Sequence, residues 1–408
     1  FLQVYKFTSN SSTIMQKKLL FFLGVLILLI FEILRVYLIM PLPGSQQSSM
    51  VGFAYFIGQN IWGIWIICIL LLVPFLRNGF SKTKIWGKIG FILPLLLYCL
   101  VFYATNFMML AEKMFLVVNN KLMFPASQNK VGEDRLIIGV DYKGQTRAYP
   151  IGIIGYHHQV TDTISGEPIF VTYCTVCRTG RVYSPIINGK QESFRLVGMD
   201  RFNAMFEDQT TKSWWQQATG VAVAGPLKGS MMKEIFSSQM KLSEWIALHP
   251  ETLVLQPDPD FNENYENLKN YDIGKGRNHL TSKSISLWQP KSWVVGVILP
   301  NQSIAVDWNQ LQKSKFLSDN NFSLVLLPDG SGFYAFNNKV ENQMMSFTFD
   351  SNTGLMTDTQ TQSKWNSEGE CIEGKMKGKF LQKLPAYQEF WHSWQTFHPD
   401  TKRFGESL

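Results

Sequence analysis

The sequence contains few cysteines and none of the common catalytic signatures. Five cysteines in 408 residues exclude a scaffold held together by several disulfides. The net charge of +7 comes without a long run of Lys or Arg, so no nucleic-acid partner is expected. The patterns G-x-S-x-G, H-E-x-x-H, G-x-G-x-x-G and the P-loop are also absent. The residues therefore identify no substrate through a known enzyme template, and they leave open whether the protein is an enzyme.

Long apolar runs, in contrast, are present near the N-terminus. Three of them, Leu19 to Met40, Val51 to Leu76 and Ile89 to Leu110, reach the length of about 20 residues that a helix needs to cross a bilayer. We predict three transmembrane helices in a membrane anchor over residues 1–116, with the lipid bilayer as a partner. The first run is too long for a cleaved signal peptide, which predicts an uncleaved anchor. Met15 has the form of a natural translation start.

The basic residues between the runs predict an orientation. The first connection, PLPGSQQSS, carries no charge, whereas the second, RNGFSKTKIWGK, carries Arg77, Lys82, Lys84 and Lys88. Because cytoplasmic loops are enriched in Lys and Arg, we predict that the N-terminus and the second connection face the cytoplasm. The chain after the third run then lies on the periplasmic, extracytoplasmic side of the cell (inner) membrane.

The part after the third run repeats itself. LIIGV at 136–140 matches WVVGV at 293–297, and FVTYCTVCRTG at 170–180 matches FSLVLLPDGSG at 322–332. Further landmarks recur in the same order: Asp208, Ser213, Trp215, Trp245 and His249 match Asp358, Ser363, Trp365, Trp394 and His398. Such self-similarity indicates a tandem duplication, with a first copy at 131–255, a linker at 256–289 and a second, degenerate copy at 290–402. Short apolar runs divided by Gly, Asn, Asp and Pro predict a mainly β or α+β domain in each copy.

Residues that occur in only one copy are not required by the shared fold. The first copy alone contains His157, His158, Cys174, Cys177, Arg178, Met199, Asn203 and Trp214. In the second copy Leu326 and Asp329 stand at the two cysteine positions. We therefore predict the functional site in the first copy, and we assign a structural role to His249 and His398, which recur.

Cys174 and Cys177, in a C-x-x-C spacing, are the centre of the predicted site. Thiolate and imidazole bind zinc and copper well, and His157 or His158, about 16 residues upstream, is expected to reach them from an adjacent strand. Since neighbouring side chains of a strand point to opposite faces, we favour His157, with Met199 as a weaker fourth ligand. Two cysteines, a histidine and a methionine suit copper, and two cysteines with two histidines suit zinc.

Two other chemistries fit the same spacing. A redox dithiol needs one thiolate with a lowered pKa, for which Arg178, directly after Cys177, is the candidate cation. A cysteine nucleophile with a histidine base is also compatible with the sequence. The remaining alternative is a structural cysteine pair that holds a turn in place. Asn203 and Trp214 are further candidate site residues.

Several segments of the first copy resemble the DUF3179 family, a group of bacterial and archaeal proteins of unknown function. They are RAYP (147–150), YHHQVTD (156–162), VTYCTVCRTGRVY (171–183), LVGMDRFNAMFED (196–208), TKSWWQQATG (211–220) and GPLKG (225–229). The resemblance covers about 131–255 and implies that His157, Cys174 and Cys177 belong to one site, without implying an activity. His158 stands where the family usually has an acidic residue, which favours metal binding over acid–base chemistry.

The sequence thus predicts a three-span membrane protein with a duplicated extracytoplasmic domain whose first copy binds copper or zinc. A role in metal sensing, storage or assembly is expected, with other subunits of a membrane complex as candidate partners. A thiol–disulfide oxidoreductase is the first alternative. A non-catalytic interaction module of a membrane complex is the second.

Overall fold

The computed structural model describes residues 2–78, 80 and 83–406. It opens with three long helices, α1 (Leu2–Tyr37), α2 (Val51–Asn78) and α3 (Ile85–Tyr103), and α3 is continued by a π-helical turn over Ala104–Met108. Stretches of 23, 27 and 24 residues within these helices are long and apolar enough to cross a membrane, which confirms the three predicted spans. Lys82, used for the predicted orientation, lies outside the described residues. A short helix, α4 (Ala111–Met114), follows.

A buried carboxylate joins the three spans. Glu32 in α1 accepts hydrogen bonds from Trp65 Nε1 in α2 (2.7 Å) and from Thr105 Oγ1 and Asn106 Nδ2 after α3 (3.0 Å each). Asn106 Oδ1 also accepts a hydrogen bond from Arg35 (2.7 Å). Because an unpaired polar group is costly inside a bilayer, these bonds favour one arrangement of the three helices.

The first half of the soluble part is mainly β. Its strands are β1 (Met123–Pro125), β2 (Leu136–Tyr142), β3 (Gln145–Pro150), β4 (Gln159–Ile164), β5 (Glu167–Cys174), β6 (Thr179–Tyr183), β7 (Ile186–Ile187), β8 (Lys190–Gln191), β9 (Phe194–Asp200), β10 (Asn203–Asp208), β11 (Trp214–Gln216), β12 (Ala222–Ala224), β13 (Ser238–Lys241) and β14 (Leu253–Leu255). Two helices, α5 (Ile151–His157) and α6 (Leu242–Leu248), lie among them. The larger sheets have the strand orders β1-β14-β3-β2-β13, β4-β5-β6 and β12-β11-β10-β9.

The stretch 256–289, predicted as a linker, packs against the first half. It contains a helix, α7 (Asn262–Glu266), and two buried aromatic residues, Phe261 and Tyr271. Asp258 accepts hydrogen bonds from the backbone N–H groups of Asn119 and Asn120 (3.1 and 2.8 Å). The polar composition therefore belongs to a covering segment with its own buried anchors.

The second half uses the same kinds of element. Its strands are β15 (Trp293–Leu299), β16 (Gln302–Asp307), β17 (Phe316–Ser318), β18 (Phe322–Leu326), β19 (Phe333–Asn337), β20 (Lys339–Val340), β21 (Gln343–Met344), β22 (Phe347–Asp350), β23 (Leu355–Asp358), β24 (Lys364–Trp365), β25 (Cys371–Glu373), β26 (Ala386–Phe390) and β27 (Lys402–Arg403). Its helices are α8 (Trp308–Ser314) and α9 (Trp391–Phe397). The larger sheets have the orders β26-β15-β16-β27, β17-β18-β19 and β22-β23-β24-β25.

Equivalent strands pair in the same way in the two halves. β2 pairs antiparallel with β3 and β13, and β3 pairs parallel with β14. In the second half β15 pairs antiparallel with β16 and β26, and β16 pairs parallel with β27. This correspondence follows the sequence repeat, while an origin by duplication and the boundaries of the copies remain predictions.

The repeated landmarks satisfy buried polar groups. Asp208 Oδ2 accepts hydrogen bonds from the Trp215 indole (2.9 Å) and the Ser213 backbone N–H (3.1 Å), and Asp358 does the same for Trp365 and Ser363 at 3.0 and 3.2 Å. A buried indole N–H or backbone N–H left without a partner costs about 1–3 kcal/mol. The Asp, Ser and Trp landmarks are therefore explained by the fold, as predicted for residues present in both halves.

A second repeated contact places a tryptophan ring on a glycine. Trp245 lies against Gly139 of β2, and Trp394 lies against Gly296 of β15. The two indoles donate to Thr252 and Thr401, at 2.9 Å in each case. His249 and His398 pack on the same rings, with centroids 4.1 and 3.9 Å apart. The recurring His-Pro segments thus complete these tryptophan sites.

The two halves interlock through buried contacts. Arg181 of β6 and Glu389 of β26 form an ion pair in which both side chains are 2% exposed. The backbone N–H of Phe390 donates to the carbonyl of Cys177 (3.0 Å), and that of Lys241 donates to Ser331 Oγ (2.8 Å). One hydrophobic core contains residues of both halves. The soluble part is therefore a single folded body.

The end of α1 docks onto the first half. The backbone N–H of Met199 in β9 donates to the carbonyl of Ile39 (2.7 Å). A Cβ on the neighbouring Gly198 would lie 2.4 Å from that carbonyl oxygen, so the close approach requires glycine. Trp214 packs edge-on against Tyr55 of α2 at 5.2 Å. These contacts hold the membrane anchor against the β9–β12 sheet.

The glycine under each tryptophan ring leads to a stability prediction. In Gly139→Ala the new Cβ would lie 2.5 Å from the buried Trp245 ring, so the ring must shift and the free energy of unfolding should fall by about 1–3 kcal/mol. Urea unfolding of the full chain in detergent, followed by tryptophan fluorescence, measures this. In the control Gly152→Ala the nearest atom lies at 3.6 Å, and equal losses in the two variants would contradict the proposed packing.

Candidate functional site

The C-x-x-C segment forms the turn of a β-hairpin. Cys174 ends β5 and Cys177 lies in the four-residue turn before β6, where Arg178 adopts a left-handed conformation with φ of +58°. Both cysteines are free and fully buried. Their sulfurs lie 3.5 and 3.2 Å from the carbonyl oxygen of Phe202, and the two thiols hydrogen-bond to each other. The spacing therefore brings two sulfurs to one point.

The two sulfurs have different environments. Burial, the largest single effect, raises the pKa of Cys174. Four other effects together outweigh burial and lower this pKa: hydrogen bonds from the Cys177 thiol and from the backbone N–H groups of Cys177 and Ala204, and the charge of Lys291. For Cys177, burial raises the pKa well above its usual value, and the neighbouring Cys174 raises it further. Cys174 is therefore the sulfur that ionises first.

The cation beside the sulfurs comes from the second half. Lys291, just before β15, donates to the carbonyl of Val176 inside the C-x-x-C turn (2.6 Å). Burial lowers the pKa of Lys291 to about 8, and the two cysteines oppose this shift. His392 of α9 lies 3.0 Å from Lys291 and 3.1 Å from the same carbonyl. Burial, followed by the charge of Lys291, lowers the pKa of His392 to about 3, so its imidazole is neutral.

The sequence prediction does not include Lys291 and His392, because it rests on residues that the first copy has and the second copy lacks. A search for residues that the second copy has and the first copy lacks does identify His392. Trp391-His392-Ser393-Trp394 aligns with Leu242-Ser243-Glu244-Trp245, so this histidine is special to the second half. Lys291 lies at the very start of the predicted second copy (290–402), where the sequence gives no comparable signal.

The sequence analysis expected His157 to reach the cysteines. In the structure the ring nitrogens of His157 have other partners. The segment before β4 is a helix, α5, so the strand alternation used to choose between the two histidines does not apply. The Nδ1 and Nε2 atoms of His157 lie 2.5 Å from the Leu116 carbonyl and 2.7 Å from the Tyr265 hydroxyl. Both ring nitrogens are thus engaged in hydrogen bonds that join α5 to the membrane anchor and to α7.

His158 follows α5 in a left-handed conformation, with φ of +63°. Its Nδ1 atom lies 3.0 Å from the Tyr156 carbonyl, and its ring packs on Phe115 at 4.4 Å. Its backbone carbonyl accepts a hydrogen bond from Tyr173 N–H, one residue before Cys174 (3.0 Å). Burial, as the largest effect, lowers the pKa of His158 to about 4. The imidazole is therefore neutral at physiological pH.

Arg178, Asn203 and Trp214 form hydrogen bonds or ring contacts with groups other than the two sulfurs. The Arg178 guanidinium stacks on Trp293 (3.8 Å) and donates to Gln388 (3.1 Å). The sequence analysis expected Arg178 to be the cation beside the thiolate, whereas in the structure Lys291 contacts the C-x-x-C turn. Asn203 exchanges hydrogen bonds with Gln217 and Ala218 behind the hairpin tip. Trp214 packs against Tyr55 of α2. Its role is thus to contact the membrane anchor, and the matching position of the second half is Lys364.

Among residues 2–78, 80 and 83–406, no group of three or more His, Cys, Asp or Glu side chains is placed to hold a metal ion. Met199 is close to the turn, because it lines a cavity whose wall also contains Thr175, Val176 and Ala204. This space of about 210 Å³ lies between the membrane anchor and the soluble part, and we call it the interface cavity. Met40, Met114 and His158 also line it.

A second cavity, of about 500 Å³, lies on the other side of the turn. Its wall contains Phe202, Lys291 and His392, which contact the C-x-x-C turn, together with Arg201 and His279. We call it the cationic cavity. Leu280 lines both cavities. The cysteines therefore lie between an apolar space beside the membrane anchor and a positively charged space.

A family model described as a protein of unknown function, DUF3179, matches residues 118–401, more than two thirds of the chain. The chain belongs to the DUF3179 family. The match extends the resemblance seen in the first copy across the linker and the second copy. No curated protein and no solved structure matches the chain.

The extent of the family match agrees with the geometry of this DUF3179 protein. Cys174 and Cys177 come from the first half, whereas Lys291, His392 and Ser393 come from the second half and contact the turn or Cys177. The candidate site is therefore built by the whole DUF3179 region.

The position of Lys291 predicts the pH dependence of Cys174. Replacing Lys291 by Met removes a positive charge near the thiolate, so the pKa of Cys174 should rise and its alkylation by iodoacetamide at pH 7 should slow by up to about tenfold, the effect of one pKa unit. Because the pKa of Lys291 is about 8, the difference between variant and wild type should shrink above that pH. Peptide mass spectrometry of the reduced protein measures the rate at each cysteine.

The control is Lys383→Met, which removes another half-buried lysine that lies 3.8 Å from the Tyr334 ring, in the second half. It should leave the alkylation profile of Cys174 unchanged. An unchanged profile in Lys291→Met would show that Lys291 does not act on the thiol.

Proposed function

We propose that this DUF3179 protein is a membrane-anchored thiol–disulfide oxidoreductase. The observation that carries the proposal is the geometry of two free, buried cysteines whose sulfurs meet at one carbonyl oxygen, in a turn that Lys291 contacts. In that geometry the pKa of Cys174 is lowered and that of Cys177 is raised. Such asymmetry suits an attacking thiolate and a resolving thiol. Lys291 supplies the nearby cation, and two of the hydrogen-bond donors to the Cys174 sulfur are backbone N–H groups of fixed position.

The reaction follows from these roles. The Cys174 thiolate attacks one sulfur of a substrate disulfide, forming a mixed disulfide and releasing the first substrate thiolate. Cys177 then loses its proton and attacks the Cys174 sulfur, which forms the Cys174–Cys177 disulfide and releases the second thiolate. Two electrons pass from the cysteine pair to the substrate, and the reverse sequence oxidises a substrate dithiol. The Cys177 proton passes to a released substrate thiolate or to water, and the positive charge of Lys291 favours the Cys177 thiolate.

Binding of Cu(I) is the second candidate function, and it retains part of the metal site predicted from the sequence. The supporting observation is that the thioethers of Met40, Met114 and Met199 line the interface cavity with His158, next to the C-x-x-C turn. Thioether and thiolate ligands favour Cu(I). A zinc site through His157 has less support, because both nitrogens of that ring are already hydrogen-bonded.

Trapping of a mixed disulfide tests the proposed function. In Cys177→Ser the resolving thiol is missing, so a small disulfide should form a stable adduct at Cys174 that dithiothreitol releases. Cys174→Ser should form no adduct at Cys177, because the pKa of that thiol is raised. The control Cys371→Ser, which removes a lone buried cysteine of the second half, should behave as wild type. Intact mass measurements read the adduct.

Three other outcomes are decisive in the same experiment. Equal adduct formation by the two single variants would contradict the assigned roles. One copper per chain in protein purified without added metal, lost in Cys174→Ser and in Met199→Leu, would favour the Cu(I) alternative. Collapse of the fold in the Cys174→Ser/Cys177→Ser double variant, with no exchange activity in wild type, would favour a structural pair in an interaction module.

We also propose that the redox site faces the extracytoplasmic side of the cell membrane. The support is the uncharged first connection and the cations Arg77, Lys84 and Lys88 around the second. Disulfide exchange is compatible with such an oxidising compartment. Other subunits of a membrane complex are candidate partners on that side.

Reporter fusions test this orientation. Alkaline phosphatase fused to the C-terminus should be active, because it requires export, and green fluorescent protein fused there should be dark. Exchanging the charges, with Arg77, Lys84 and Lys88 replaced by Gln and three lysines placed in the first connection, should reduce the phosphatase signal. A bright fluorescent fusion of the unaltered chain would overturn the orientation.

A further inference from the structure

The cationic cavity carries positive charge without an opposing carboxylate in its wall. Arg201 and Lys291 line it with the histidines His279 and His392, and no Asp or Glu is among its lining residues. In the part of the chain that the structure describes, neither Arg201 nor Lys291 lies within ion-pair distance of a carboxylate. Asp200, next to Arg201, accepts a hydrogen bond from Gln216 (3.1 Å).

This arrangement favours an anion. A cleft lined by charges of one sign and walled by protein concentrates ions of the opposite sign and accelerates their association. Lys291 is half-buried, and its hydrogen-bonding contacts are neutral groups, the Val176 carbonyl and the His392 ring. A partly desolvated ammonium group of this kind is stabilised when a ligand supplies the negative charge.

Phe202 lies between the cavity and the sulfurs. Phe202 lines the cavity, and the Phe202 carbonyl oxygen lies 3.5 and 3.2 Å from the sulfurs of Cys174 and Cys177. A ligand in the cavity is thus separated from the sulfurs by the tip of the β9–β10 hairpin. The charged wall and the redox pair are therefore neighbours on the two sides of Phe202.

The tip of the β9–β10 hairpin has an unfavourable backbone conformation. Arg201 and Phe202 form the two-residue turn between β9 and β10, and both have positive φ, +49° and +66°. Turns of this type favour Asn and Gly, so the bulky residues Arg201 and Phe202 are held there in an unfavourable backbone conformation. Because both sulfurs are buried behind Phe202, a substrate in the cavity reaches them only after the hairpin tip moves.

We infer that the cationic cavity binds a small anionic disulfide, or the corresponding thiol, as the substrate of the cysteine pair. The inference rests on the proposed oxidoreductase function and specifies its substrate class. A carboxylate on the substrate contacts Arg201 and Lys291, which brings the substrate sulfur toward Cys174. Cys174 attacks that sulfur, the first substrate thiolate leaves, and Cys177 closes the protein disulfide, so that two electrons reduce one substrate disulfide to two thiols.

Three small disulfides of different charge test the inference: 3,3′-dithiodipropionate (a dianion), bis(2-hydroxyethyl) disulfide (neutral) and cystamine (a dication). Each rate of exchange with the reduced full chain, in a neutral detergent, is divided by the rate of the same disulfide with dithiothreitol. The normalised rate of the dianion should exceed that of the dication by about 10- to 1,000-fold, the range of electrostatic steering. Added salt should reduce this ratio, because it screens exposed charges.

Charge removal from the cavity provides the matched comparison. Arg201→Gln should lower the ratio of dianion to dication rates by about tenfold, whereas Lys212→Gln should leave it unchanged. Lys212 is a suitable control because it is also an exposed cation of the first half with positive φ (+60°), and it does not line the cavity. The neutral disulfide should react equally with both variants.

The outcomes separate this inference from the proposed function. Exchange with all three disulfides at equal normalised rates, or a dianion-to-dication ratio that is the same in Arg201→Gln as in wild type, would overturn the substrate class and leave the oxidoreductase in place. No exchange with any of the three, while dithiothreitol reacts normally, would overturn the oxidoreductase and the substrate class together.

Discussion

The buried ion pair between Arg181 and Glu389 is the interaction on which the rest of the structure depends. One partner lies on β6 and the other on β26, so the pair exists only when the two halves are docked. Removing one member of such a pair leaves an uncompensated buried charge, at a typical cost of about 3–5 kcal/mol. The neighbouring hydrogen bond from Phe390 to the Cys177 carbonyl fixes the C-x-x-C turn in the same interface. The relative position of the halves is therefore determined at the site itself.

This docking makes the site a product of both halves. The first half supplies two sulfurs in a turn, and the second half supplies Lys291 and His392 beside that turn. A thiolate on Cys174 and the ammonium group of Lys291 stabilise each other in a place where either charge alone is penalised by burial. In the proposed reaction, oxidation removes the thiolate, which lowers the pKa of Lys291 further and couples electron transfer to proton release.

Much of this architecture was predictable because it depends on composition and spacing. Apolar length predicts the three spans, and the matched landmarks predict strands that pair alike in the two halves. The C-x-x-C turn was predictable since two sulfurs three residues apart meet whenever the strand turns between them. The contacts of His157 and Arg178 were not predictable, because they depend on the direction in which each side chain points. One ends a helix with both ring nitrogens engaged, and the other points away to Trp293.

The sequence by itself determined the membrane anchor, the repeated β architecture and the cysteine pair, because each is encoded by residues close together in the chain or by a pattern that recurs. Only the tertiary structure decided which groups surround the sulfurs. Lys291 is more than a hundred positions from Cys174, and its place beside the turn follows from the interlocking of β6 with β26 and from the packing of the segment before β15. Contacts of that range depend on how buried surfaces fit together, and local sequence does not encode the fit.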